Sequence, residues 1–147
     1  MPVEIATIFN VNEAAVLFDQ YRVFYGKPSD LDAAKRFLSK RMTHQQSVIL
    51  LARNDAGACV GFSQLYPTFS SVSMRKKFIL NDLFVLPEAR GAGVATALLE
   101  YAKRVAREYG ALALTLSTAV DNATARQLYQ ANGWELEQDY VSYDFSL

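Results

Sequence analysis

Residues 90–96, Arg90-Gly91-Ala92-Gly93-Val94-Ala95-Thr96, combine the residue types that phosphate binding requires. Gly91 and Gly93 carry no Cβ and reach positive φ without strain, so a ligand can approach the backbone while several N–H groups point one way. From Val94 onward, Val94, Leu98, Tyr101, Ala102, Val105 and Tyr109 recur at helical spacing. That pattern puts the loop's donors at the positive end of a helix, where an anion is favoured. Arg90 adds forked donors suited to phosphate oxygens. The loop therefore predicts a phosphorylated cofactor. NAD and ATP fit it poorly. Thr96 stands where a dinucleotide fingerprint has Gly or Ala, residues 110–116 hold no acid for a ribose, and a Gly-Lys-Ser/Thr ending is absent.

Two motifs in this order resemble the GNAT superfamily of N-acetyltransferases, which bind acetyl-CoA. The first is Arg90-x-x-Gly93-x-Ala95, similar to that superfamily's pyrophosphate loop, behind Asp82-Leu83-Phe84-Val85-x-Pro87. The second is Asn122-x-x-Ala125-x-x-Leu128-Tyr129-x-x-x-Gly133-Trp134, similar to its later cofactor-binding helix. The resemblance implies acetyl-CoA as cofactor, CoA as product, and contacts from Leu83, Phe84, Val85, Arg90, Gly91, Ala92, Gly93, Val94, Ala95, Thr96, Asn122, Ala125 and Tyr129. It further implies that a bulge splays the strand before the loop from a parallel neighbour, so that N–H groups around Phe84 and Val85 polarise the thioester carbonyl. Around that strand the chain is similar to polyamine and thialysine acetyltransferases, some of which carry glutamate where this chain has Asn81.

Acetyl transfer to an amine needs a neutral nucleophile, a polarised carbonyl and a protonated thiol leaving group. An alkylamine with a pKa near 10.4 is only about 0.04% neutral at pH 7, so the site must remove a proton or select the neutral form. Asp82 is the candidate base, acting through water with Asn81 beside it; a purely structural carboxylate is the other reading. Tyr129 is the candidate acid for the thiolate. On a helix beginning near Asn122, residues 122, 125, 126 and 129 share a face, so Asn122 and Tyr129 can touch one extended ligand. In the resembling enzymes the matching asparagine bonds the pantetheine arm and the matching tyrosine sits by the sulfur. Tyr21, Tyr25 and Tyr66, with Asn81, are candidate acceptor-binding residues, an aromatic wall for a cationic amine or a set of packing residues. His44 and Cys59 read as a surface histidine and a small buried hydrophobe rather than a nucleophile pair, and they supply no metal set.

The elements that must position these groups follow from periodicity and punctuation. Residues 3–9 alternate as a strand, and Asn12 caps a helix carrying Ala14, Leu17, Phe18, Tyr21 and Phe24. Ser29-x-x-Asp32 resembles a capping box for a second helix bearing Leu31, Ala34, Leu38 and Met42. Residues 47–53 and 58–66 form a hairpin about the turn at 54–57, Pro67 and a Ser/Thr run break it, and Arg75-Lys76-Lys77 is a solvated turn. Strand 78–85, the helix to Gly110 and strand 113–118 make a parallel crossover. A last helix runs from Asp121 or Asn122 to Asn132-Gly133, and strands at 134–137 and 140–145 close the chain. The expected fold is α/β (α+β): a GNAT-like mixed, mostly antiparallel sheet of about seven strands, with four helices on both faces, in one domain over 1–147.

The chain has 147 residues, 15 basic and 15 acidic side chains and one cysteine. Balanced charge argues against nucleic acid or a membrane surface as partner. No apolar run approaches the roughly 20 residues of a membrane span. The opening Met-Pro-Val-Glu-Ile lacks the basic-then-apolar pattern of a signal peptide, and a lone Cys59 forms no internal disulfide, so a cytoplasmic protein is expected. The reading is an N-acetyltransferase working by direct attack on the thioester with no covalent enzyme intermediate. The acceptor is a primary amine of a small molecule or of a protein lysine. A non-catalytic acyl-CoA sensor is the alternative, since fold and cofactor do not fix function. The resemblance leaves a homodimer possible through the last strands.

Overall fold

The computed structural model describes residues 1–147, which form two compact units, Met1–Ser117 and Thr118–Leu147. The first unit contains β1 (Val3–Ile5), α1 (Val11–Phe24), α2 (Leu31–Thr43), β2 (Val48–Arg53), β3 (Cys59–Ser70), β4 (Arg75–Val85), α3 (Val94–Glu108) and β5 (Leu114–Thr115). One sheet runs β1-β2-β3-β4-β5, antiparallel except for the parallel pair β4/β5. The mixed, mostly antiparallel sheet is as expected, with five strands in place of seven.

Strand alternation sends successive side chains to opposite faces, and both faces are covered. Ile49, Leu51, Phe62 and Phe84 point to one side, where they pack with Ala14, Leu17 and Phe18 of α1 and Ala34 and Leu38 of α2. Leu50 and Ala52, the alternate residues of β2, are buried on the other side. There α3 lies so close that a Cβ on Gly61 would meet Val94 Cγ1 at 2.9 Å and Leu98 Cδ1 at 3.3 Å. Burying each large apolar side chain on such a face contributes about 1.5–3 kcal/mol.

Several boundaries differ from the sequence reading for local reasons. The first strand ends at Ile5 because the Thr7 hydroxyl accepts from Phe9 N–H and Thr7 N–H donates to Asn10 Oδ1 at 3.0 Å, coiling Ile8–Asn10 into a 3-10 turn. Helix α1 accordingly follows Asn10 rather than Asn12. Asp30, not Ser29, caps α2 by accepting from Ala33 N–H at 3.1 Å. Pro67 does not end β3. Its partner Phe78 donates N–H to Ala113 O, away from β3, so Pro67 sits in a non-hydrogen-bonded pair where its missing donor is not needed. The strand continues to Ser70, and Arg75-Lys76-Lys77 opens β4 instead of a turn.

The second unit contains α4 (Ala123–Ala131), capped by Asn122 Oδ1 on Ala125 N–H at 3.1 Å. It ends in a Schellman motif: Trp134 N–H donates to Tyr129 O at 3.0 Å, Gly133 N–H donates to Gln130 O at 3.1 Å, and Gly133 is left-handed at φ 84°. The expected strands at 134–137 and 140–145 are irregular here, and Leu136, Tyr140, Val141, Tyr143 and Phe145 are exposed. Their alternation suits a strand, but a ladder needs a partner backbone, which local pattern does not supply. No helix is long and apolar enough to cross a membrane.

Candidate functional site

The loop between β4 and α3 has the geometry its glycines allow. A 3-10 turn at Pro87–Ala89 leads to Arg90, and Gly91 and Gly93 adopt φ of 77° and 81°. No heavy atom lies within 4 Å of where a Cβ on either glycine would stand, so the space over both is open to a ligand. The helical ladder of α3 begins with Ala97 N–H donating to Gly93 O, which leaves the N–H groups of Val94 and Ala95 ahead of it. The Val94 side chain is buried, so only its backbone belongs to the loop surface; Ala92 and Thr96 are exposed. Arg90 folds back over the end of its own strand: Nε donates to Val85 O at 3.0 Å, and the guanidinium lies 5.5 Å from the Phe24 ring and 5.8 Å from that of Phe84.

Upstream, β4 contains the irregularity that the resemblance implies. Gln64 pairs with Asp82 but Leu65 pairs with Leu80, so Asn81 is the extra residue of a β-bulge. Beside it the parallel pairing with β5 covers only Phe78↔Leu114 and Ile79↔Thr115. Past the bulge, Leu86 N–H donates to Val60 O, which fixes the alternation. Asp82 and Phe84 direct their backbone groups toward β3, while Leu83 and Val85 direct theirs to the side from which β5 has departed. The N–H groups aimed into that gap are those of Leu83 and Val85, one residue out of step with the Phe84–Val85 pair.

The same bulge sets Asp82 on the α1 side of the sheet. Asp82 is 3% exposed and Gln64 is fully buried. Gln64 Nε2 and Asn81 Nδ2 donate to the two carboxylate oxygens, the latter at 3.0 Å, and the Tyr21 hydroxyl bonds to the same group. Burial nevertheless dominates and raises the carboxyl above the ordinary aspartate range, against the three donors. The buried carboxylate in turn holds the neighbouring phenols protonated. Burial and the Asp82 charge push Tyr66 up to about 12 and Tyr21 higher still. Tyr21 stacks edge-on with Tyr25 at 5.0 Å, Phe62 at 5.6 Å and Phe84 at 6.1 Å.

Tyr21, Tyr25, Tyr66, Asn81 and Asp82 thus come together at one place. Gln64 and Phe62 join them without having been singled out in the sequence. Their signal was faint but present: Gln64 alternates with Phe62 and Tyr66 on β3, a polar side chain on an inward face. His44 closes the C-terminal end of α2, and the Cys59 thiol donates to Glu13, with burial and that bond pushing it up to about 11. Such a thiol is protonated and inert near neutrality.

In the second unit, Asn122 Oδ1 is engaged in capping α4, and Ala125 supplies the N–H it accepts. Tyr129 is half-buried, with its ring 6.2 Å from that of Trp134. The Schellman motif clamps these two rings together.

Residues 14–134 match the model of the acetyltransferase (GNAT) family. An uncharacterized N-acetyltransferase of Bacillus subtilis strain 168, YhfO, is 51% identical over 129 residues, 88% of this chain and 86% of its own length. The crystal structure of a probable acetyltransferase superposes with a TM-score of 0.95 at 40% identity, covering 100% of this chain and 98% of the other. The aminoglycoside enzyme AAC(6')-Iy, solved in complex with a bisubstrate analogue built on CoA, shares the fold at a TM-score of 0.80 and 21% identity, covering 99% and 98% of the two chains.

Proposed function

The chain belongs to the GNAT family of acetyltransferases and is an acetyl-CoA-dependent N-acetyltransferase; from that premise we propose that the gap beside the end of β4 and the loop at 90–96 hold the cofactor. The observation that carries this reading is the departure of β5 after Ile79, upstream of two left-handed glycines with open space over them. The backbone donors of the loop and of Val94 and Ala95 suit a pyrophosphate, and Arg90 adds positive charge at its edge. Asn122, Ala125 and Tyr129 are proposed for the pantetheine arm and the sulfur, on the resemblance of their motif. Both units are proposed to serve one acetyltransferase domain over 1–147.

Acetyl-CoA, when bound, supplies an acetyl thioester; in the overall reaction an amide C–N bond forms, the C–S bond breaks, and the ammonium nitrogen gives up two protons, of which one is balanced by the proton that the sulfur gains and the other is released to solvent. Leu83 and Val85 N–H groups are proposed to donate to the carbonyl oxygen as charge develops on it. Asp82 is proposed to take the amine's proton, and its raised carboxyl makes it a stronger base than an ordinary aspartate. Tyr129 is proposed to protonate the leaving thiolate. Tyr21, Tyr25, Tyr66 and Asn81 are proposed to line the acceptor's path. The acceptor is a primary amine of a small molecule or a protein lysine. The lone Cys59 supports work in the reducing cytoplasm, and the exposed Tyr140, Val141, Tyr143 and Phe145 support a homodimer, to be checked by sedimentation.

Thermal melts with acetyl-CoA, CoA and NAD test the cofactor assignment. A ligand at 100 times its Kd adds about 2.7 kcal/mol, which for a domain near this size is a shift of about 5–10 °C. A shift with both CoA species and none with NAD is expected. No shift with either CoA species would remove the roles assigned to the loop, Asn122 and Tyr129.

A further inference from the structure

Gln64 is an anomaly in a well-packed sheet. Its side chain is completely buried, its Nε2 donates to Asp82, and its Oε1 has no hydrogen-bond donor. A buried acceptor left without a partner is destabilising, and native proteins keep few of them. Beside it stands a second excess of negative character: Asp82 is buried with no Lys, Arg or His in salt-bridge reach, and only neutral amides and a phenol donate to it. The phenols of Tyr21 and Tyr66 stand beside the pair, and Phe84 and Tyr25 pack edge-on against Tyr21. One partnerless acceptor, Gln64 Oε1, beside a buried carboxylate that no cation neutralises has the complement of a cation with several N–H donors.

Resting on the acetyltransferase reading above, we propose that Gln64 determines acceptor specificity: its Oε1 and the Asp82 carboxylate together receive the ammonium group of a primary alkylamine. Next to the buried pair, Asn81 is exposed and Tyr21 and Tyr66 are half-buried. An alkylammonium brings three N–H donors and a positive charge, which satisfies Oε1, neutralises the buried carboxylate and presents the stem to the tyrosine rings. One of its protons then passes to Asp82, leaving a neutral amine held by Gln64. A neutral or acidic group in the same place leaves the carboxylate uncompensated, so discrimination for cationic amines comes from the buried pair and not from surface charge.

The test uses 1,4-diaminobutane and N-α-acetyl-lysine as acceptors, thiol release from acetyl-CoA as the assay, and two substitutions. Gln64→Met keeps the volume and removes the amide, both Oε1 and the Nε2 donor to Asp82. It is expected to raise KM for the amine about ten- to a hundredfold, with KM for acetyl-CoA and the acetyl-CoA-induced melting shift unchanged. Gln64→Lys places a tethered ammonium beside Asp82. It is expected to melt no lower than the parent chain, to keep the acetyl-CoA shift, and to lose amine turnover by more than about a hundredfold because the cation site is filled. If the parent chain acetylates either amine while both variants keep KM for it within about twofold, Gln64 does not recognise the acceptor and the cofactor assignment stands. If the parent chain shows the CoA shift but acetylates neither amine, the alkylammonium assignment fails for the parent itself.

Discussion

Two aspartates are buried in the first unit, and their surroundings give them opposite properties. Asp19, at the junction of α1 and α2, accepts from the Ser29 hydroxyl at 2.6 Å and from Asp30 N–H at 2.8 Å, and those bonds hold its carboxyl below the ordinary range. Asp82, between β3, β4 and α1, also has donors, yet burial outweighs them and its carboxyl is raised. The difference teaches that hydrogen-bond count does not decide a buried acid's charge. What decides it is how far solvent is excluded when no cation replaces it. The α1–α2 junction spends its aspartate on holding two helices, whereas the β4 bulge keeps one against a desolvation cost, as the base role proposed for it requires.

Exchanging each acid for its amide breaks the comparison most sharply. Asp82→Asn is expected to lower kcat/KM about 10²- to 10⁴-fold, read by thiol release, while melting no lower than the parent at pH 7. The sign follows from linkage. A carboxyl raised in the folded state destabilises as pH climbs from its unfolded value near 4 through the folded value, and an amide at that position carries no such penalty. Asp19→Ala is expected to do the reverse: activity stays within about twofold, and stability falls by about 1 kcal/mol, a drop of roughly 2–4 °C in the melt. Its contribution, from a lowered carboxyl, is present above the unfolded pKa and disappears as pH falls through the folded one.

Smaller changes sharpen the contrast. Tyr21→Phe and Asn81→Ala each remove a donor that holds the Asp82 carboxyl down, so the acid limb of the kcat/KM profile is expected to move to higher pH in both. An unmoved limb in both variants would mean that Asp82 is not the group whose ionisation the rate follows. Removing the matching donor from the other acid, Ser29→Ala, is expected to leave that limb where it is and to lower the melt by less than Asp19→Ala does.

Much of the site was legible because its signals are local. Glycine spacing at 91 and 93 predicts a backbone that bends with positive φ, and the apolar repeat from Val94 predicts the helix behind it. The Asn122 cap and the Asn132-Gly133 stop were equally readable, since capping depends on residues within one turn. Where the reading failed, a distant partner had intervened. Pro67 looked like a strand breaker until its pairing with Phe78 showed that its missing N–H faces away from β4. The last two strands were read from alternation alone, which specifies a face but not a neighbour. Gln64 passed unremarked because a polar residue in an apolar strand gains meaning only from what stands opposite it.

By itself, then, the order of residues determined the family motifs, the four helices and a loop at 90–96 bent by two left-handed glycines, all of which depend on torsional preference and short-range periodicity. Tertiary structure alone decided where β5 leaves β4, which two N–H groups face the gap, and how Asp82 is charged. Those properties depend on sheet register and on solvent exclusion, which arise only when side chains from α1, β3 and β4 converge on one buried carboxylate.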